Sequence, residues 1–301
     1  MQVAQPIARW LTVRTQNTGF GLLASLVLPP TPFLGAAVMS FLLLQEVRLQ
    51  RVALVALIAV GFLAALNTAF GSSPVSVIQL AAVTWLPAAA FALHLRRSRS
   101  LTLTLQVSVM VLIGLVFLVF AVNGNNPEFG QTLVTQVADV LRESGYAEQA
   151  EALEVRHEIV AWQLMSFIAL LLWSSFAIAL ATGNALYNSV QEGQTPFGTF
   201  DRLNFGRVLA IGVAVLCVIG LSVSVLWLKS LAFIAFLVFW IQGLAILHWL
   251  NANRGLPQAV VIATYIALPF LNLLLAVVLA VVGYLDAWFD WRKRLAATNA
   301  S

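Results

Sequence analysis

Long apolar runs separated by short polar links make up most of this chain. A helix needs about 20 apolar residues to cross the hydrocarbon core of a membrane, and a soluble helix of that length would show a polar face. The later runs approach or exceed that length without such a face; they are 52–68, 75–94, 105–122, 159–181, 208–228, 230–250 and 258–284. The pattern predicts an all-α fold, a polytopic transmembrane helical bundle.

The last two runs form the clearest helical hairpin. They are joined by the polar turn 251–257, which contains Arg254. Gln242 lies twelve residues before Arg254 and Tyr265 eleven after it, so at about 1.5 Å per residue both lie roughly 17 Å from the turn. We expect a hydrogen bond between Gln242 and Tyr265, of about 0.6 kcal/mol, that holds the two helices together. The alternative is that both side chains contact a ligand.

The first apolar run, 20–44, is interrupted by Pro29, Pro30 and Pro32. Proline removes a backbone donor and clashes with the preceding turn, so two short helices, about 19–28 and 33–45, are predicted. With this first segment broken at Pro29-Pro30, the chain has about eight membrane segments. Broken helices persist at membrane depth when they are buried in protein or line a cavity. A functional role is one interpretation of the break; a proline kink and a hairpin that dips into the bilayer are the others.

One hydrophilic section, 123–158, stands between the apolar runs and carries seven carboxylates. Its apolar residues Leu133, Val137, Val140 and Leu141 recur on one helical face, Gly145 ends that helix, and a second begins near Ala147. The pattern predicts an amphipathic helical excursion. It is either a cap on the membrane surface or on the outer ends of the bundle, or a lid over a ligand site.

These patterns divide the chain into four parts. They are the N-terminal membrane segments 1–122, the extracytoplasmic acidic excursion 123–158, the C-terminal membrane segments 159–285 with a cytoplasmic loop at 183–206, and the polar tail 286–301. At the start of the tail, i,i+4 spacing predicts a helical pair of Asp290 with Arg294.

Composition agrees with a lipid environment. The 301 residues are 61% hydrophobic and only 9% charged, whereas a soluble domain is about a quarter charged. The net charge of +4 comes from basic residues at the ends of apolar runs, where membrane topology explains them. We therefore expect the lipid bilayer as the main partner and no nucleic acid.

Positive charges also predict the orientation, because short loops rich in Lys and Arg stay in the cytoplasm. The three arginines within 96–99 are assigned to the cytoplasmic side of a bacterial inner membrane, together with the N-terminus. The acidic section then lies outside. A break near Pro269 and Asn272 in the last run would return the C-terminus to the cytoplasm, and we expect it there.

The sequence lacks the residues of common membrane catalysts. None of the spans carries Asp, Glu, Lys or Arg near its middle, although proton relays, ion pumps and intramembrane proteases depend on such residues. His157-Glu158 begins like a zinc-protease motif, but Ala161 stands where the second histidine would be. The single cysteine, Cys217, rules out a cysteine-clustered metal site. We expect a protein that is not an enzyme and has no cofactor and no metal.

Uncharged polar residues lie at the outer ends of several spans. Asn67 and Gln79 flank the outer turn of 52–94, and Trp162 and Gln163 begin the span 159–181. Amides and indoles without charge suit a small neutral ligand, so these four residues are the candidate substrate-binding set. Interfacial anchoring, the commoner role of Trp, is the alternative.

Several short motifs, taken in order, resemble the YybS-like family of bacterial inner-membrane proteins. They are Leu28-Pro29-Pro30, Asn184-Ala185-Leu186, Phe200-Asp201-Arg202-Leu203, Gln242-Gly243-Leu244-Ala245 followed by His248, Arg254-Gly255-Leu256, Gly283-Tyr284-Leu285-Asp286 and Phe289-Asp290-Trp291-Arg292-Lys293. The resemblance implies a helical fold akin to the substrate-binding subunits of energy-coupling-factor transporters. Those subunits bind a small ligand in the outer half of the bundle, and the family supplies no catalytic residues.

Two functional hypotheses follow. In the first, the chain is a transporter-subunit-like protein that binds a small neutral ligand and works with a protein partner on the cytoplasmic side. In the second, it is a non-catalytic membrane scaffold or assembly protein that recruits partners through its cytoplasmic loop and tail.

The predicted orientation is tested with a topology reporter fused after Ser98. We expect activity only from a reporter that works in the cytoplasm, because the adjacent arginines favour that side. A reporter fused within 123–158 is the matched control and should work only outside. Activity of the Ser98 fusion on the outer face would contradict the orientation.

Overall fold

The computed structural model describes residues 4–13, 15–27, 31–45, 48–123, 127–155, 157–191, 194–223 and 225–297. Within these ranges the regular elements are helices, with no strand, which confirms the predicted all-α fold. The α-helices are α1 Ala4–Val13, α2 Thr15–Val27, α3 Thr31–Gln45, α4 Leu49–Ala69, α5 Pro74–Ser98, α6 Leu101–Asn123, α7 Pro127–Glu143, α8 Ala147–Val155, α9 His157–Val190, α10 Gly206–Ser222, α11 Leu226–Leu237, α12 Trp240–Arg254, α13 Gln258–Phe289 and α14 Trp291–Ala297.

The chain forms two compact units. Unit 1 consists of Met1–Leu105 and Ser175–Leu203, and unit 2 of Gln106–Ser174 and Asn204–Ser301. In unit 1, α3 packs most extensively on α5; in unit 2, α12 packs most extensively on α13. The four-part division made from the sequence follows chain order, and it stays a prediction.

Five helical segments of the described chain are long and apolar enough to cross a membrane. They are Leu49–Ala69, Pro74–Ser98, Leu101–Asn123, Gln163–Val190 and Trp227–Arg254. On α4 the large apolar side chains of Leu54, Leu57, Ile58 and Phe62 point away from the protein and are more than half exposed. Such a face is unfavourable in water and suits lipid, so the fold fits a multi-pass membrane protein. The expected total of about eight segments stays a prediction.

The helix bounds correct three details of the sequence analysis. The predicted runs 208–228 and 230–250 become α10 and the longer apolar segment Trp227–Arg254. The loop expected from 183 begins only at 191, because α9 continues to Val190. The break expected near Pro269 and Asn272 is absent, since α13 is one helix through both positions.

The break in the first segment is only partly visible. α2 ends at Val27 and α3 begins at Thr31, close to the two predicted helices. Residues 28–30, which include Pro29 and Pro30, lie outside the described part of the chain. Pro32 falls in the first turn of α3, where proline costs no backbone hydrogen bond.

The excursion folds as predicted into two helices. α7 ends at Glu143, Gly145 takes a positive φ of 87° and α8 begins at Ala147. Among the described side chains of α7, Val134 and Ala138 are buried, and Leu133, Val137 and Leu141 of the predicted face are half-buried beside them, whereas Val140 is exposed. Arg142 bridges Asp139 and Glu154, at 2.9 and 2.5 Å, and so ties α8 to α7.

Glycines allow α12 and α13 to approach at backbone distance. A Cβ at Gly243 would collide with the backbone of Leu279, and one at Gly283 with the carbonyl oxygen of Phe239. Small residues permit this kind of contact between membrane helices, where dispersion forces drive association. In unit 1, Gly183 on α9 meets α3 in the same way, since its Cβ would lie 2.7 Å from that of Ser40.

We predict that Gly243→Ala and Gly283→Ala each destabilise the protein, because the added methyl group meets fixed backbone. The expected loss is about 1–3 kcal/mol or more, measured by SDS-titration unfolding of the purified protein. Gly212→Ala in α10 is the matched control, since no atom lies within 4 Å of its added Cβ. It should leave stability unchanged or raise it by up to about 1 kcal/mol. Equal losses of stability at Gly243, Gly283 and Gly212 would contradict the close approach of α12 and α13.

Candidate functional site

A cluster of polar side chains lies inside unit 2, among α12, α13, α14 and the residues that precede α10. This C-terminal polar cluster consists of Asn204, Gln242, Asp286, Asp290 and Arg292. Gln242 is 0% exposed, Asp286 1% and Arg292 8%. A buried carboxylate and guanidinium in a protein otherwise so apolar mark this place as the first candidate site.

The centre of the cluster is an ion pair between α13 and α14. Asp286 Oδ2 accepts hydrogen bonds from Arg292 Nη2 at 2.7 Å and from Arg292 Nε at 3.1 Å. The pair spans six residues and would face apart on a continuous helix. It forms because α13 ends at Phe289, Asp290 follows with a left-handed φ of 50°, and the chain turns before α14 begins.

Gln242 joins this ion pair to the chain ahead of α10. Its Nε2 donates to Asp286 Oδ2 at 2.9 Å, and its Oε1 accepts from the backbone N–H of Phe205 at 2.7 Å. Asn204 Nδ2 donates to Asp290 Oδ1 at 2.8 Å, while Asn204 Oδ1 accepts from the N–H of Gly206 at the same distance. The cluster thus satisfies the polar groups that start α10 and fixes them to the end of α13.

The predicted bond between Gln242 and Tyr265 is wrong. Gln242 bonds Asp286 and Phe205, and Tyr265 Oη lies 3.0 Å from Nε2 of His248. The prediction counted equal numbers of residues from the turn on both helices. In the structure Gly243 lies twelve residues before Gly255, yet it contacts Leu279, which lies twenty-four residues after Gly255. Residues of α12 and α13 that lie at the same depth therefore cannot be found by counting equal numbers of residues from the turn.

The tail pairing also differs from the prediction. The sequence suggested Asp290 with Arg294 on a continuous helix, but Asp290 follows the last residue of α13 as its cap, and its Oδ2 lies 3.5 Å from Lys293 Nζ. The pair of Asp286 with Arg292 was missed because neither i,i+3 nor i,i+4 spacing connects them. The left-handed turn at a non-glycine residue gave no sequence signal.

In this site the free-energy cost of burying the carboxylate of Asp286 is offset by its ion pair and its hydrogen bonds. Burying an isolated ion costs several kcal/mol, and a partner with good hydrogen bonds offsets that cost. Arg292 and Gln242 supply three bonds to Asp286 Oδ2. Asp286 Oδ1 is buried without a hydrogen-bond partner among the described residues. The arrangement stabilises one conformation of the turn between α13 and α14.

A second, uncharged polar cluster lies in unit 1 at the end of α9. Asn184 Nδ2 and Asn188 Nδ2 both donate to the carbonyl oxygen of Gly198, at 2.9 and 3.2 Å. Their Oδ1 atoms are buried and have no hydrogen-bond partner in the part of the chain that the structure describes. Ser40 Oγ and Gln45 Oε1 on α3 are buried and unpartnered as well. This asparagine pair therefore presents acceptors that nothing within the described protein satisfies.

The four residues predicted to bind a ligand are divided between the two units, with Asn67 and Gln79 in unit 1 and Trp162 and Gln163 in unit 2. Asn67 Nδ2 donates to Ser73 O at 3.1 Å and to Ser76 Oγ at 3.2 Å, so it closes the turn between α4 and α5. Gln79 on α5, in unit 1, and Gln163 on α9, in unit 2, are exposed. Trp162 lies within α9, and its side chain is outside the described part. Their role in binding stays a prediction.

Metal-ligand geometry is not present among the described residues, where no three His, Cys, Asp or Glu side chains converge. Compared with family models, curated proteins and solved structures, the chain matches none. The two polar clusters therefore carry the functional argument by their own geometry.

We predict strong coupling between Asp286 and Arg292. Asp286→Leu or Arg292→Met alone should destabilise the protein by about 3–5 kcal/mol, because each leaves a buried charge without its partner. The double variant should lose much less than the sum of the two losses, as measured by SDS-titration unfolding. Lys293→Gln is the control, since it breaks an exposed pair worth at most about 1 kcal/mol. Additive losses in the double variant would contradict the coupling.

Proposed function

We propose that the chain is a non-catalytic, multi-pass protein of the bacterial inner membrane that binds a small neutral ligand, in the manner of a transporter subunit. Both termini are assigned to the cytoplasm, the C-terminus because of the basic residues Lys293 and Arg294 and no longer because of a break in α13. A likeness to the YybS-like family and to the substrate-binding subunits of energy-coupling-factor transporters is part of the same proposal, and so is a protein partner on the cytoplasmic side.

The observation that carries the proposal is the asparagine pair. Two buried amide oxygens, four residues apart on α9, lack hydrogen-bond partners among the described residues. An unsatisfied buried acceptor costs about 1–3 kcal/mol, so a bound group that donates to it is favoured. Nothing about amide acceptors selects a charged ligand, and the nearby unpartnered Ser40 hydroxyl is also neutral.

The ligand class follows from the donors and acceptors available. Asn184 and Asn188 each donate one amide hydrogen to Gly198 O, so the groups left without a partner are the two Oδ1 acceptors, which take a hydrogen bond from a ligand. A molecule with hydroxyl or N–H donors and no net charge suits such a site. The expected ligand is that of the sequence prediction, small and neutral, but the residues that bind it are different. By the predicted topology they lie at the cytoplasmic end of α9 and not in the outer half of the bundle.

A membrane scaffold is the second candidate, and one observation favours it. The loop after α9 is held at Gly198 by the asparagine pair, and the residues before α10 are held by Gln242 and Asp290. A loop fixed at defined points is suited to recognition by another protein, because little conformational freedom is lost on binding.

We predict that native mass spectrometry of the detergent-extracted protein detects a small-molecule adduct. The double variant Asn184→Leu with Asn188→Leu should lose the adduct, because its acceptors are gone. Asn67→Ala is the control and should keep the adduct, since that amide bonds within its own turn. Thermal unfolding checks that each variant is folded.

The two candidates give different results in the same preparation. Absence of any adduct, together with co-purifying proteins that are lost when 191–203 are deleted, would contradict ligand binding and support the scaffold. An adduct that survives the double asparagine change would contradict the proposed site.

A further inference from the structure

We propose that α14 lies in the headgroup region of the membrane, where its outward face binds anionic phospholipid. The helix buries a charged side chain and exposes apolar ones, which is the reverse of a helix on a water-facing protein surface. Its buried residue is Arg292, 8% exposed, while Trp291 and Leu295 point outward and are 37% and 44% exposed. A helix that turns its guanidinium inward and its indole outward is suited to lipid rather than to water.

The apolar side chains of this segment form one stripe. Trp291 and Leu295 are four residues apart and so lie on the same side of α14. Phe289, at the end of α13, stacks on Trp291 with ring centroids 6.3 Å apart and planes 8° from parallel. Phe289 is itself 45% exposed. Aromatic side chains are the preferred anchors of the membrane–water boundary.

The stripe continues a face that already suits lipid. On α13, which precedes α14 directly, Leu274, Val278 and Val281 are exposed along the outer side of a long apolar helix. These side chains need hydrocarbon around them in a membrane protein. The aromatic residues at the end of α13 and the start of α14 therefore follow the protein's lipid-facing surface without an intervening polar patch.

Positive charge borders the stripe. Lys293, Arg294 and Arg254 are exposed, and Arg254 Nη2 donates to the carbonyl oxygen of Leu295, so it lies beside the end of α14. The carboxylates of this region are engaged, Asp286 by Arg292 and Asp290 by Asn204 and Lys293. The exposed cations therefore outnumber the carboxylates beside the apolar stripe. This cationic rim matches the phosphate of an anionic lipid, and the apolar stripe matches its acyl chains.

Two contacts fix the rotation of α14 about its axis. The ion pair of Arg292 with Asp286 holds the start of the helix, and the bond from Arg254 holds its end. With Arg292 directed inward, Arg294 lies on the opposite side of the helix, and the exposed side chains of Trp291 and Leu295 lie beside it on one flank. This lipid contact rests on unit 2 alone and does not depend on the asparagine pair or on its ligand.

The depth of α14 is tested with a fluorescent label in lipid nanodiscs. The single cysteine is first removed by Cys217→Ala, and Leu295→Cys then carries an environment-sensitive dye. We expect quenching by phospholipid with a nitroxide on its acyl chain and protection from aqueous iodide. Glu151→Cys on the exposed surface of α8 is the matched control and should show the reverse. An iodide-accessible label at 295 without lipid quenching would mean a water-facing surface and overturn the proposal.

The charge requirement is tested by native mass spectrometry of retained lipid. The ratio of bound phosphatidylglycerol to bound phosphatidylcholine should fall about fivefold for each cation removed in Lys293→Gln and Arg294→Gln, since a basic residue at a lipid surface contributes about 1 kcal/mol. The charge-preserving pair Lys293→Arg with Arg294→Lys should keep the ratio. An unchanged ratio in the double Gln variant would overturn the proposal, and so would equal thermal stabilisation by inorganic phosphate, which would indicate a soluble anion as ligand.

Discussion

The ion pair between Asp286 and Arg292 is the interaction on which the C-terminal part of this fold depends. It closes the turn between α13 and α14, and through Gln242 it extends to the backbone of Phe205 ahead of α10. Three segments distant in sequence, the residues before α10, α12 and the turn between α13 and α14, are therefore linked through one buried carboxylate. Because the pair lies in an apolar surrounding, neither charge can be exposed or lost without a large cost, and the turn has one stable conformation.

Close backbone contact makes that pair geometrically attainable. The side chain of Gln242 reaches Asp286 because Gly283 and Gly243 let α12 and α13 touch within one helical turn of both residues. A larger residue at either glycine would separate the helices by the width of a side chain and lengthen hydrogen bonds that now measure 2.7–2.9 Å. Packing and polar satisfaction are thus coupled, which is typical of membrane helices held together by small residues and a few polar bonds.

Hydrophobic periodicity predicted the helical class, the presence of apolar helices long enough to cross a membrane and the two helices of the excursion, because these depend on local pattern and length. It failed where contact depends on how helices cross. Gln242 was recognised as a polar residue in an apolar run, but its partner followed from a crossing at Gly243 that residue counting does not contain. The burial of Arg292, within the predicted polar tail, was missed because a left-handed Asp290 has no sequence signature. Asn184 was part of a motif in the sequence, but its pairing with Asn188 and their unpartnered oxygens become visible only when Gly198 folds back on α9.

The two polar clusters differ in what a ligand could add. In the C-terminal cluster Arg292 already supplies the charge opposite to that of Asp286, and three donors converge on Asp286 Oδ2. A ligand would therefore have to displace Arg292. In the asparagine pair the donors face the protein and the acceptors are left over, so a donating molecule adds hydrogen bonds without breaking any. Charge density alone would favour the first cluster as the binding site. The free energy of binding favours the second, because satisfying a lone buried acceptor yields a gain that exchanging one ionic partner for another does not.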